Sequence, residues 1–264
     1  MSEIGKASDP SVQDAWGKVP AVTLGFWLIK IIATTLGETA GDAVTMSMNL
    51  GYLVGTLIFA MLLLIALFFQ IRAHHFQPLL FWTVIVATTT VGTTLADFCD
   101  RSLGIGYLGG SLLLSTLLML SLFIWYRTLG SVAIDHLDSR KAEIFYWSTI
   151  LFSQTLGTAL GDWVADPATG MGMGYRGGAV LFAVGLALVV AAYLWTRVSR
   201  TLLFWIAFIL TRPLGATVGD FLDKPIANGG LALSRYSASA ALVVCMLALI
   251  FFLPQRAERL RAAQ

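Results

Sequence analysis

One register recurs four times along this chain of 264 residues. An aromatic-Trp pair is followed ten residues after the Trp by Gly, and five residues later by Asp. The copies are Phe26-Trp27, Gly37, Asp42; Phe81-Trp82, Gly92, Asp97; Tyr146-Trp147, Gly157, Asp162; and Phe204-Trp205, Gly215, Asp220. The segments between them repeat as well, since Tyr52, Tyr107, Tyr175 and Tyr236 are each followed three residues later by Gly55, Gly110, Gly178 or Ser239. A period of this length marks one supersecondary unit that must stack on its neighbours to bury its apolar face.

Each unit carries two apolar runs of about twenty residues, the length that crosses a hydrocarbon core of about 30 Å as a helix. Eight spans are predicted, near 21–40, 50–70, 79–98, 107–126, 143–163, 178–196, 201–222 and 236–254. The chain is 57% hydrophobic and 12% charged, about half the charge of a soluble domain. A net charge of +2 gives no basic field for nucleic acid. Cys99 and Cys245 are too few and too distant for a disulfide framework or a CxxC metal knuckle. Residues 1–20 are polar and lack the apolar core of a signal peptide. They read as an N-terminal tail before a membrane domain over 21–255, with a short tail at 256–264. The domain divides into repeats near 21–70, 79–127, 143–197 and 201–254.

Lysine and arginine in the short loops set the expected orientation. Eleven lie on one side (Lys6, Lys18, Arg72, Arg127, Arg140, Lys141, Arg197, Arg200, Arg256, Arg259, Arg261) and four on the other (Arg101, Arg176, Lys224, Arg235). The majority side is expected to be cytoplasmic and to hold both termini. A bacterial inner membrane is the simplest setting, and the oligomeric state, homo-oligomer included, is open.

With these motifs the chain resembles a family of bacterial integral membrane proteins built of four tandem two-helix repeats of unknown function, each with a characteristic tryptophan. The resemblance covers roughly residues 21–254 and implies the architecture without an activity. The fourth repeat departs from the others at Arg212 and Pro213, where they carry Thr or Gln. Four hairpins entering from the same side are parallel repeats, related by an axis along the membrane normal. The expected fold is therefore an all-α polytopic bundle in a pseudo-fourfold ring. Odd spans carry Thr, Gly and Asp and should line the centre, with the Leu-rich even spans outside, because polar groups avoid lipid.

Eight acidic residues fall at the outer ends of the odd spans: Glu38 and Asp42, Asp97 and Asp100, Asp162 and Asp166, Asp220 and Asp223. Spacings of three or four put each pair on one helical face. One such pair needs no more explanation than solvation at a helix end, but the same Asp in four registers points to a shared site. Carboxylate oxygens are hard ligands suited to Mg²⁺, Ca²⁺ or Mn²⁺. Threonines along the same path (Thr34, Thr35, Thr39, Thr89, Thr90, Thr93, Thr94, Thr155, Thr158, Thr217) add oxygens, most of them expected to bond back to helix carbonyls. The expected picture is an acidic vestibule that takes a divalent cation as substrate, with protons competing for the same oxygens.

Lys30 and Arg212 lie inside spans, where a charge is a functional candidate with a partner to be named. If the ring closes, repeats one and four become neighbours, and Glu38 or Asp42 can pair with them. The set reads as coupling or counter-ion groups. Met46-Ser47-Met48 and Met171-Gly172-Met173 offer soft thioethers, a competing reading for Cu(I) or Ag(I). No histidine falls in a span, which counts against haem. Acidic pairs of this kind also bind Mg²⁺-phosphate in intramembrane enzymes, but no basic phosphate clamp sits beside them, and no catalytic residues are assigned. A structural membrane protein is the third class. Gly37, Gly92, Gly157 and Gly215 with Trp27, Trp82, Trp147 and Trp205 read as repeat-packing positions.

Overall fold

Each predicted apolar run becomes a helix. The computed structural model describes residues 16–137 and 139–259, so Lys6 and Arg261 of the charge count lie outside the described residues. The order is β1 (Trp16–Pro20), α1 (Leu24–Asp42), α2 (Gly51–Arg72), α3 (Pro78–Asp97), α4 (Gly106–Leu129), α5 (Arg140–Ala165), α6 (Gly174–Trp195), α7 (Arg200–Asp223), α8 (Arg235–Phe252) and β2 (Ala257–Arg259). The hydroxyls of Thr23, Ser139 and Ser199 cap α1, α5 and α7 by accepting from the N–H groups of Phe26, Ala142 and Leu202. Pro78 opens α3, where its missing N–H costs no helical bond. After α1 and α3 the chain continues as π-helical turns over Ala43–Ser47 and Phe98–Ser102.

Among the described residues, six helices are long and apolar enough to cross a membrane: α2, α3, α4, α6, α7 and α8. Eight spans were predicted, and two of the eight helices, α1 and α5, fall short of that apolarity. Helix α1 carries Lys30, Glu38 and Asp42 within 19 residues, and α5 begins with Arg140, Lys141 and Glu143.

Helix α1 packs against α3 and α7, and α5 packs against the same two. The even helices are placed less as expected. Helix α2 rests on α3, α4 on α5, α6 on α7 and α8 on α1. Each even helix therefore lies mainly on the odd helix of the following repeat, and the two-helix repeat is not itself a packed hairpin. Links between repeats, such as residues 73–77 and 196–199, are as short as those within them, so the following odd helix is an equally close neighbour. The other faces of the even helices expose large apolar side chains, among them Leu57, Met61, Leu64, Leu188 and Phe252.

Two sets of contacts repeat between the odd helices. At one end, each repeat's first aromatic meets the tryptophan of the next. Ring centroids are 5.5 Å apart for Phe26–Trp82, 5.7 Å for Phe81–Trp147, 6.4 Å for Tyr146–Trp205 and 5.9 Å for Phe204–Trp27. Trp82, Trp147 and Trp205 are buried, so they join repeats to one another rather than anchor them at an interface. Further along, the repeated glycines admit the next odd helix. A Cβ at Gly37 would lie 2.2 Å from Thr89, one at Gly92 2.9 Å from the Gln154 backbone, one at Gly157 2.2 Å from Arg212 and one at Gly215 2.2 Å from Thr34. The partner is in every case the residue three before the next repeat's glycine. Arg212 is thus the fourth repeat's version of Thr34, Thr89 and Gln154.

The tails, read only as polar from sequence, meet in an antiparallel pair of β1 with β2. Lys18 fixes this strip to the bundle, its ammonium donating to the Ile71 carbonyl at 3.0 Å and to Glu143 at 3.1 Å.

Candidate functional site

The odd helices bring their polar residues into two tiers. In the deeper tier Arg212 on α7 is fully buried. Its Nη2 lies 3.0 Å from Glu38 Oε2 on α1, 2.6 Å from Thr93 Oγ1 on α3 and against Thr158 Oγ1 on α5. One guanidinium therefore touches the other three odd helices. Its Nε and Nη1 have no hydrogen-bond partner among the described residues. The Glu38 pairing expected from ring closure is present. Lys30 behaves differently. It is fully buried, donates to Thr211 Oγ1 at 3.2 Å and sits 3.9 Å from the centre of the Phe208 ring. Among the described residues no carboxylate reaches it within ion-pair distance.

The second tier lies about 12 Å further along each helix, since eight residues separate Arg212 from Asp220. It holds Asp42, Asp97, Asp162 and Asp220, one from each odd helix and all buried. Three cations that the sequence placed in loops reach into this tier. Arg101 bridges Asp97 and Asp162, each at 3.0 Å, and also donates to the Tyr52 hydroxyl at 3.1 Å. Lys224 bridges Asp220, at 3.0 Å, and Asp42. Arg235 pairs with Asp223 at 3.1 Å and with Asp42 at 3.7 Å. Asp42, Asp220 and Asp223 each bring a carboxylate oxygen within 4.8 Å of the others.

These contacts change the expected vestibule in three ways. Six of its eight acids are buried and paired with the chain's own cations rather than open to solvent. They also divide into three groups: Glu38 with Arg212, Asp97 and Asp162 with Arg101, and Asp42, Asp220 and Asp223 with Lys224 and Arg235. Asp166 is outside all of them. It caps the loop after α5, its Oδ1 accepting from the N–H groups of Ala168 and Thr169, each at 2.7 Å. Partial burial pushes the Asp166 carboxyl up, but these N–H bonds and the Thr169 hydroxyl outweigh it and hold the group below the usual carboxylate range.

Asp100 is buried against Gly110 of α4, and neither of its oxygens has a hydrogen-bond partner among the described residues. Most of the threonines bond back to carbonyls three or four residues earlier, as Thr35, Thr90, Thr155 and Thr217 do. Thr93 does so too, to the Thr89 carbonyl, and with Thr158 it also accepts from Arg212, while Thr89 Oγ1 has no hydrogen-bond partner among the described residues. Of the methionine pairs, Met48, Met171 and Met173 are exposed, while Met46 turns its sulfur to within 4.0 Å of Lys224 Nζ. The sequence did contain a signal for two of the missed cations: Arg101 and Lys224 each follow the repeated Asp by four residues, the spacing of a helical ion pair.

The repeat geometry agrees with a family model, the Repeat of Unknown Function (DUF347), which matches residues 25–76, 80–131, 145–199 and 203–259. The chain belongs to this family. Each DUF347 match begins two residues before the repeat's tryptophan and ends beyond its even helix. The matched repeat therefore holds two helices that pack mainly on neighbouring repeats. No curated protein and no solved structure matches the chain significantly.

Proposed function

We propose that the protein is a transporter for a small divalent cation, which passes through a pseudo-fourfold bundle of eight membrane-crossing helices. On this reading α1, α3, α5 and α7 line the path and the even helices face lipid. The observation that carries it is Arg212, a fully buried guanidinium held by groups from all three other odd helices, with four buried aspartates, one per odd helix, about two turns away. Buried charge on this scale is costly and inside a membrane marks an ion path by default. The closed circuits of aromatic and glycine contacts support the ring. The exposed apolar faces of the even helices support their contact with lipid.

Bias in basic residues supports an orientation with both termini in the cytoplasm, and a bacterial inner membrane is the simplest setting for it. Ser2→Cys and Thr169→Cys are then expected to react with impermeant thiol reagents from opposite sides of intact cells. Labelling from one side overturns the orientation.

The test of transport is Mn²⁺ flux into proteoliposomes containing the full chain. Asp42→Asn, Asp97→Asn, Asp162→Asn and Asp220→Asn are each expected to slow it about tenfold or more, the loss seen when even supporting groups of a metal site are removed. Folding should survive, because Arg101, Lys224 and Arg235 each keep a second carboxylate when one is neutralised. Normal flux in all four variants sinks the proposal, and unfolding of all four makes the aspartates structural. Flux is also expected to fall as pH drops, since the carboxylates must be deprotonated to bind metal.

A further inference from the structure

Lys224 occupies an unusual position. Its ammonium sits among Asp42, Asp220 and Asp223, whose oxygens converge within 4.8 Å. The aspartate side chains are 1%, 3% and 0% exposed. Three acids alone would say little. Here, however, Oδ1 of Asp42 and Oδ1 of Asp223 are buried with no hydrogen-bond partner among the described residues, so the cluster keeps unused acceptors where a ligand with more than one positive charge would use them. The thioether of Met46 lies 4.0 Å from the ammonium, adding a soft donor to a set of hard ones.

The cyclic repeat supplies a comparison. Arg101 and Lys224 are equivalent, each four residues after the repeated Asp, and each bridges that Asp to the one in the next repeat. The corresponding positions in repeats one and three are Met46 and Asp166. Counting Asp223 and Arg235, five aspartates in this tier share three tethered cations, and 5 − 3 leaves a formal charge of −2 when all are ionised. Arg101 is locked further by Tyr52. Lys224, on a flexible stem just past α7, has no such hydroxyl clamp among the described residues and is the more displaceable of the two.

We propose that Asp42, Asp220, Asp223 and Met46 form a binding site for one first-row transition dication, of the Mn²⁺ type rather than Mg²⁺ or Ca²⁺, and that Lys224 is the built-in cation this ion displaces. This rests on the transport reading and names its substrate class and competitor. Carboxylates accept Mg²⁺, Ca²⁺ and Mn²⁺ alike, whereas a thioether favours the softer ion. A tethered ammonium in an otherwise anionic site lowers affinity for the free ion, and it gives the empty carrier a neutralised site in which to return.

The experiment measures Mn²⁺ binding to the purified full chain in detergent by equilibrium dialysis with electron paramagnetic resonance detection. Lys224→Gln is expected to bind Mn²⁺ at least about fivefold tighter than wild type, the lower end of ordinary site-to-site coupling. Lys224→Arg should stay near wild type, and Met46→Leu should reduce the preference for Mn²⁺ over Ca²⁺. In wild-type protein, Mn²⁺ should increase acetylation of Lys224 by a water-soluble reagent, read by mass spectrometry, and this needs no variant to fold. Unchanged or weaker binding by a folded Lys224→Gln, or Lys224 acetylation indifferent to Mn²⁺, overturns the displacement. Unchanged selectivity in Met46→Leu overturns the ion class. If wild type carries Mn²⁺ into proteoliposomes while these results fail, this inference falls and the transport reading stands. If wild type neither binds nor carries Mn²⁺, both fall.

Discussion

Arg212→Met is expected to lower stability by about 3–5 kcal/mol, the cost of removing one partner from a buried ion pair. The loss arises because Glu38, 2% exposed, is left buried without the guanidinium 3.0 Å away. Glu38→Gln is expected to cost a similar amount from the other side, since Arg212 would retain only hydroxyl and carbonyl partners. Replacing both, as Glu38→Leu with Arg212→Met, removes both charges and should be far more stable than the sum of the single losses, because apolar replacements of buried pairs are often neutral or better. Chemical unfolding in detergent, followed by tryptophan fluorescence, reads all three. A double variant no better than the worse single would show that the pair is not what holds these helices. The same double variant should be inactive in flux, which separates what the pair does for folding from what it does for ions.

Gly92→Ala is expected to destabilise by about 1–3 kcal/mol, the usual penalty for overpacking. The new Cβ would come within 2.9 Å of the Gln154 carbonyl carbon and the Thr155 nitrogen. Both are backbone atoms that move only if α3 and α5 separate. Gly185→Ala on α6 is the matched control. Its Cβ would meet the end of the Leu210 side chain at 3.4 Å, so it should be neutral or gain up to about 1 kcal/mol from reduced freedom of the unfolded chain. Gly37→Ala meets a side chain, Thr89, rather than backbone, and Thr89→Ala should recover part of its loss. Melting temperatures of the four variants and the wild type check the order. Equal melting of Gly92→Ala and wild type would mean that these helices do not approach as closely as the glycine register implies.

Helix number and approximate bounds were legible because about twenty apolar residues have one use in a bilayer. The Trp, Gly and Asp registers were legible because a repeated environment selects repeated residues. Pairing of Arg212 with Glu38 followed from closing the repeats on themselves, although the two residues are 174 apart in sequence. What escaped was whatever depended on rotation about a helix or on loop path. Arg101, Lys224 and Arg235 counted as four-against-eleven loop charges, but long side chains at helix ends reach inward when acids wait there. Asp166 shares the spacing of the other acids and yet turns to its own loop, because two nearby N–H groups compete for it. The partner of each even helix was hidden too, since short links within and between repeats leave both neighbours equally near.

That offset has a consequence for how the chain is made. Because α2 rests on α3, α4 on α5 and α6 on α7, three of the four packed pairs are complete as soon as their second helix leaves the ribosome. The fourth is α8 on α1, the last helix synthesised against the first. Helix α1, with Lys30, Glu38 and Asp42, must therefore wait through five others before α7 brings Arg212 and Lys224, and through six before α8 covers it. A helix that falls short of the apolarity of a span is thus the one left longest without the partner that covers it, until the circle closes.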